Sequence, residues 1–376
     1  MKKSIILAVA AISVLSFMFK TTAYAQAPSC LLDCSDFETV INDKPVWLHT
    51  ITNGKIYAQV TNYCGYIVGL YAPDRDGNYE NVVGHNDNIQ QYQSFSRNPC
   101  GTALGRYANR IANATFTLDG VQYQVTKNNG QHMLHGGNKG FDHTVWDVVM
   151  VSDRAVIYSC VLEDGLDGFP GNLVTFLTFS ITDNDGLAIN FSATTDKATV
   201  CSMSHHAYFN LDGFKEGGDI LGHVLTVDAD TMTETDPTLI PTGKILPVEG
   251  TVFDFREGVR IGDRQAAMPA VRPAPGTPAP QIPEGMVRSF DQNFCLNHKE
   301  AGKIELVATL YSPESGRVME VLNNHPGLQV YTGNRRAIAL ESQMFPDSPN
   351  HPEFPSTTLR PGETYKHTVI YRFSVK

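Results

Sequence analysis

Apolar residues in this chain recur at every second position far more often than at every third or fourth, which is the period of a half-buried β-strand. Ala114 to Thr126 reads as a hairpin: Phe116 and Leu118 alternate up to Asp119-Gly120, and Val121, Tyr123 and Val125 alternate away from it. The Asp-Gly pair suits a two-residue type I′ turn. Val145 to Val151 and Ala155 to Leu162 follow as short runs rich in β-branched residues, and Leu173 to Ile181 with Leu187 to Ala193 flank Asp183-Asn184-Asp185-Gly186 as a second hairpin. Further strands are expected at His223 to Val227, Ile304 to Tyr311, Val318 to Leu322, Leu328 to Thr332, Ala337 to Glu341 and Tyr365 to Ser374. No long amphipathic helix and no repeat period interrupts the series. The pattern predicts an all-β fold of stacked antiparallel sheets.

Two stretches break the pattern. At the start, Lys2 and Lys3 precede an apolar run from Ile5 to Phe19, and Ala23-Tyr24-Ala25 forms a small-x-small site before Gln26. Residues 1–25 therefore read as a cleaved signal peptide, since the run is short for a spanning helix and Lys20 ends it. Ala27-Pro28-Ser29 is a poor lead-in for lipidation at Cys30. An exported protein is expected, periplasmic or secreted and bacterial, with no membrane association after cleavage. The second stretch, Met268 to Pro283, holds six prolines, a composition that cannot build a strand ladder and reads as a loop insertion. Around it the chain divides into a lead-in at 26–47 and one large domain at 48–376.

Removing the signal segment takes away three lysines and no acids, so the formal charge moves from −10 to −13. A surface this acidic repels phosphate backbones and anionic membranes, which excludes nucleic acid as a partner. Seven cysteines remain, an odd number in a compartment that permits disulfides; Cys30 and Cys34 are close enough in sequence to bridge. None has the clustered spacing of a zinc site, so no metal ligands are assigned. Structural calcium at one of the Asp/Asn-rich turns is conceivable, but no loop has its ligand spacing.

The candidate chemistry lies on polar strand faces. In Ser204 to Leu211, read as one extended strand, His206, Tyr208 and Asn210 share one face, and Ala207, Phe209 and Leu211 the other. Asn109 and Arg110 precede the first hairpin and His135-Gly136-Gly137 follows it. A hairpin returns its ends to one edge, which brings these residues together. Asp291 and Asn293 oppose Phe290, Phe294 and Leu296, while Glu341 turns outward with Ala337 and Ala339, opposite Ile338 and Leu340. Two histidines, two carboxylates and an arginine on polar faces of separate strands are more than a solvated surface needs.

These residues carry a resemblance. Asn109-Arg110-Ile111, Leu134-His135-Gly136-Gly137, Gly168-Phe169-Pro170-Gly171-Asn172-Leu173 and His206-Ala207-Tyr208-Phe209-Asn210-Leu211 are similar in order to the aldose 1-epimerase, or galactose mutarotase, family. So are Pro326-Gly327-Leu328-Gln329-Val330-Tyr331-Thr332-Gly333-Asn334 and Leu340-Glu341-Ser342-Gln343, and the similarity runs from about Leu48 to the C-terminus. The resemblance implies a β-supersandwich of antiparallel sheets that holds a monosaccharide and interconverts its anomers, glucose and galactose among the aldohexoses, with no required cofactor. It implies His206 as general acid, Glu341 as general base and His135 beside the sugar ring. Asn109, Arg110, Asp291 and Gln329 match hydroxyl-binding positions. Tyr208, one strand period from His206, is added here as a wall for the sugar's apolar face. At ordinary pKa values a carboxylate is ionised near neutrality and imidazole titrates close to it, as the two roles require. A monomer is expected, with a dimer as the alternative. The stretch from Asn334 to Glu341 is shorter than in many relatives and contains Arg335-Arg336, which keeps a hexose-6-phosphate epimerase in view. A non-catalytic carbohydrate-binding protein is the other alternative, though it would have no use for an acid and a base at C1.

Overall fold

A computed structural model describes residues 27–94, 101–268 and 289–376. The expected signal peptide and the proline-rich insertion beyond Met268 lie outside the described residues. Two antiparallel sheets dominate. The larger has nine strands, in spatial order Asp147–Val151, Ala155–Leu162, Leu173–Ile181, Gly186–Thr195, Tyr365–Val375, Arg317–Asn323, Glu305–Tyr311, Val224–Val227 and Val259–Arg260. The strand nearest the C-terminus thus sits in the middle, paired to Gly186–Thr195 on one side and Arg317–Asn323 on the other.

The second sheet has six strands, ordered Tyr208–Phe209, Ala337–Gln343, Gly327–Asn334, Asp291–Cys295, Thr231–Thr235 and Pro241–Pro247. Its apolar face packs on the large sheet. Leu328, Val330, Ile338 and Leu340 share one buried cluster with Leu177, Met319, Val321 and Tyr371. Each such side chain contributes roughly 1.5–3 kcal/mol by leaving water. Tyr371 also ties the layers covalently distant in sequence: its hydroxyl donates to the Leu340 carbonyl at 3.1 Å, and its ring lies 4.7 Å from that of Phe209. The opposite face of the six-stranded sheet carries the polar residues.

The expected hairpins form. Val121 pairs with Leu118 across Asp119-Gly120, whose φ values of 50° and 77° are both positive, as the type I′ turn demands. Leu187 pairs with Ile181 in the second hairpin. Ser204 to Leu211 departs from expectation, because it is not one strand. Ser204–His205 pairs with Ala103–Leu104, whereas Tyr208–Phe209 pairs with Ala339 and Ile338. The chain changes partner at His206-Ala207, and the ladder breaks there.

A four-stranded sheet at Leu48–Thr52, Tyr57–Thr61, Ile67–Pro73 and Tyr79–Asn81 precedes these elements. The lead-in packs on it: Phe37 and Val46 are buried with Leu48, Tyr66 and Tyr92. All six described cysteines are free, so Cys30 and Cys34 are not bridged. Among the described residues the longest helix is Ile261–Ala267, and no helix is long and apolar enough to cross a membrane.

Candidate active site

A cavity of about 230 Å³ opens above the polar face of the six-stranded sheet. All eight residues singled out from the sequence line it: Asn109, Arg110, His135, His206, Tyr208, Asp291, Gln329 and Glu341. Leu134 and Tyr331 line it too. Period two already put Tyr331 on the face of Gln329, so that signal was present and unused.

Three strands in register supply the floor. Ala337–Gln343 points Ile338 and Leu340 into the core, so Ala339 and Glu341 face the cavity. Gln329 lies directly across from Glu341 on the next strand, and Asn293 across from Gln329 on the third. One row of side chains therefore runs across the sheet at about 4.8 Å per strand.

His206 enters from the side. Its N–H donates to the Thr102 carbonyl at 2.9 Å and its own carbonyl accepts from Gly101 at 2.7 Å, so the backbone is held on both flanks at the point where the strand breaks. Nε2 lies 3.6 Å from Glu341 Oε1. The ring stacks on Tyr208 with centroids 4.8 Å apart and meets Tyr331 edge-on at 6.1 Å. Tyr208 is only 9% exposed; its ring chiefly orients the imidazole, and half-buried Tyr331 offers the freer aromatic face.

His135 is positioned by the closing of the first hairpin. Leu134 pairs with Arg110 and Met133 with Ile111, so the expected meeting of the two hairpin ends occurs. The His135 N–H donates to the Asn109 carbonyl at 2.9 Å, and the Asn109 N–H donates to His135 Nδ1 at 3.1 Å. A ring nitrogen that accepts an N–H bears no proton, so the neutral ring carries its proton on Nε2. Gly136 makes the turn: its φ is +88°, and a Cβ there would sit 2.1 Å from the Gly105 carbonyl oxygen. Gly136→Ala is expected to cost roughly 2–5 kcal/mol from backbone strain and overpacking together. A urea midpoint equal to that of the parent protein would contradict this account of the turn.

The polar groups form a directed chain. Gln329 Nε2 donates to Asp291 Oδ1 at 2.5 Å, and Arg110 Nη2 lies 3.8 Å from Asp291 Oδ2. Arg110 Nη1 also donates to Asn109 Oδ1 at 3.4 Å. Burial raises the Asp291 carboxyl pKa against the pull of Arg110 and the Gln329 hydrogen bond. Burial holds that of Glu341 well above its ordinary value, aided by the negative charge of Asp291 and opposed by Arg110. It lowers His206 to about 3. The ordinary titration expected from residue type does not hold here, because enclosure penalises the charged form of each.

His135, His206 and Glu341 each bring a donor atom to within 4.8 Å of the others, a spacing that a metal ion could bridge. The tautomer disfavours it. Histidines that bind metals usually donate their second N–H to an acceptor, whereas Nδ1 of His135 accepts from a backbone donor and Nε2 would have to surrender its proton. The donor set suits proton transfer at an oxygen-rich ligand.

Comparison with known proteins shows the family. The aldose 1-epimerase family profile matches residues 48–372. The galactose mutarotase of Sus scrofa is 36% identical over 326 residues, covering 82% of this chain and 88% of the relative. The aldose 1-epimerase of Escherichia coli K12 is 36% identical over 290 residues, covering 73% and 79%. Among solved structures, an aldose epimerase homologue from C. elegans superposes with a TM-score of 0.76 at 28% identity, covering 87% of this chain and 98% of the other. Galactose 1-epimerase from Lactobacillus acidophilus gives 0.74 at 25% identity, covering 90% and 97%.

Proposed function

The chain belongs to the aldose 1-epimerase family, whose members are sugar isomerases, and we propose that it interconverts the α and β anomers of free aldohexoses in the cavity around His206 and Glu341. The observation that carries the assignment of roles is the 3.6 Å separation of His206 Nε2 and Glu341 Oε1. The ring oxygen and the anomeric hydroxyl are both bonded to C1, so two groups a few ångströms apart reach both. The pair reacts with its one proton on His206: Glu341 takes the proton from the C1 hydroxyl as His206 Nε2 delivers its own to the ring oxygen. The C1–O5 bond breaks and O1 becomes the aldehyde oxygen. After rotation about C1–C2, the reverse transfers close the ring on the other face. One proton enters and one leaves, so the pair returns with its proton count unchanged.

His135 presents Nε2–H to the oxygens at C1 and can steady the developing carbonyl. Arg110 and Asp291 hold ring hydroxyls by charge-assisted hydrogen bonds and keep the open aldehyde in place until it recloses. The reaction needs no cofactor, since acid and base are both side chains. We further propose that residues 48–376 act as one epimerase domain on an exported protein, the leader resting on the residue pattern before Gln26. A sugar phosphate is disfavoured: Arg335 pairs with Asp219 at 3.8 Å, Arg336 donates to the Lys215 carbonyl at 3.3 Å, and neither lines the cavity.

Polarimetry of freshly dissolved α-D-galactose and α-D-glucose tests the reading. Accelerated relaxation is expected; no acceleration with any free aldose, despite measurable sugar binding, would overturn it. Asp291→Ala is expected to raise KM about 10- to 100-fold, the effect of losing a charged hydrogen-bond partner. It should also move the alkaline limb of the pH profile to lower pH. Glu341 loses a negative neighbour that raises its pKa, so the catalytic pair gives up its proton sooner. An unchanged KM would remove Asp291 from the binding site.

A further inference from the structure

Beside the sugar cavity lies a smaller chamber, bounded by Arg110, Asp291 and Gln329 on the shared side and by Thr233, Asn293 and Leu239 on the far side. It has about 10 Å³ of space for the centre of a water-sized group, enough for one hydroxyl or one water. Leu239 adopts φ +66°, a conformation that a bulky side chain rarely holds outside ligand clamps and tight turns.

Asn293 lines this chamber, and the way its amide faces is set by a chain of hydrogen bonds whose direction is fixed at its source. The Asp291 carboxylate can only accept, so Gln329 turns Nε2 toward it and leaves Oε1 for Gln343. Gln343 Nε2 in turn faces Asn293 Oδ1 at 3.3 Å. Gly327 makes room for that oxygen, because a Cβ there would lie 2.7 Å from it. The Nδ2 of Asn293 is left as a buried donor with no partner among the described residues, on a side chain only 2% exposed. A buried donor left unpaired is unfavourable, and a ligand oxygen would satisfy it.

The position of this donor relative to the base is set by strand register. Glu341, Gln329 and Asn293 are successive cross-strand neighbours, so Asn293 lies two strands, about 10 Å, from the base. A pyranose with C1 at Glu341 and its ring over Gln329 turns the carbon opposite C1 toward Asn293. That carbon is C4, the centre at which galactose and glucose differ. Resting on the epimerase reading above, we propose that Asn293 and its chamber determine specificity by receiving the axial C4 hydroxyl of galactose. The axial oxygen leaves the ring plane and can enter the chamber, whereas the equatorial oxygen of glucose stays within the plane and outside it.

The test is the ratio of kcat/KM for galactose to that for glucose in Asn293→Leu, with Asn293→Ala as a smaller variant that removes the donor without adding bulk to the chamber. The ratio is expected to fall at least tenfold in each variant that folds. With 4-deoxy-D-xylo-hexose, the sugar that both substrates become on losing that hydroxyl, parent and variants should differ by less than about threefold, because no hydrogen bond remains to lose. Equal slowing of galactose and glucose by a variant with parental circular dichroism and melting would overturn the proposal while leaving the epimerase reading intact. A parent protein that accelerates no free aldose would overturn both.

Discussion

Glu341→Gln is expected to slow mutarotation by about 10²–10⁴, the span over which a positioned proton transfer contributes. The substitution keeps the shape of the side chain and removes only its ability to take a proton. Glu341 is 2% exposed, and its Oε2 has no hydrogen-bond partner among the described residues. Because burial already drives the carboxyl toward its neutral form, a neutral amide removes a penalty and should leave thermal stability equal or slightly higher. Polarimetric relaxation and a melting curve on the same preparation separate the two effects. A loss of less than tenfold in a folded variant would assign the base elsewhere.

His206→Asn is expected to cost a similar factor and also to invert the pH dependence. In the parent protein the His206–Glu341 pair works with one proton between them. Burial lowers the imidazole to about 3 and raises the carboxyl far above its ordinary range. A second proton enters only near the lower limit, and the single proton leaves only above the upper one. The activity is therefore expected to be flat through neutral pH and to fall on the alkaline side as the pair empties. Without His206 the residual rate depends on Glu341 alone as a base. It should rise with pH through the raised carboxyl pKa, where the parent protein declines. A variant that keeps the parental alkaline fall would show that the limb belongs to another group.

Much of the site was readable as alternation. Period two separates Ile338 and Leu340 from Glu341, and Phe290 and Phe294 from Asp291, and packing on the large sheet realises both splits. The closing of the first hairpin brought His135 to Asn109 as its turn chemistry implied. What escaped depends on partners distant in sequence. The break at His206 arises because the chain leaves Ala103–Leu104 for Ala337–Gln343, and no local signal marks that exchange. Tyr57–Thr61 and residues 67–72 are buried on both faces, so they show no alternation from which a strand could be read. The displaced pKa values of His206 and Glu341 come from enclosure by separate strands, which residue type alone does not convey. Asn293 was visible on the polar face, but its free donor is fixed only by the amide chain that starts at Asp291.

The central place of Tyr365–Val375 in the nine-stranded sheet bears on how the protein is made. Strands between residues 147 and 195 form one flank of that sheet and strands between 224 and 323 the other, and among the described residues this eleven-residue strand joins them. As the chain emerges from the ribosome in order, Gly186–Thr195 and Arg317–Asn323 each keep a bare edge until Tyr365–Val375 is made. The pairings that unite them span long stretches of chain and are slow to form. Assembly of the six-stranded layer, which rests on that sheet, therefore waits on the synthesis of Tyr365–Val375.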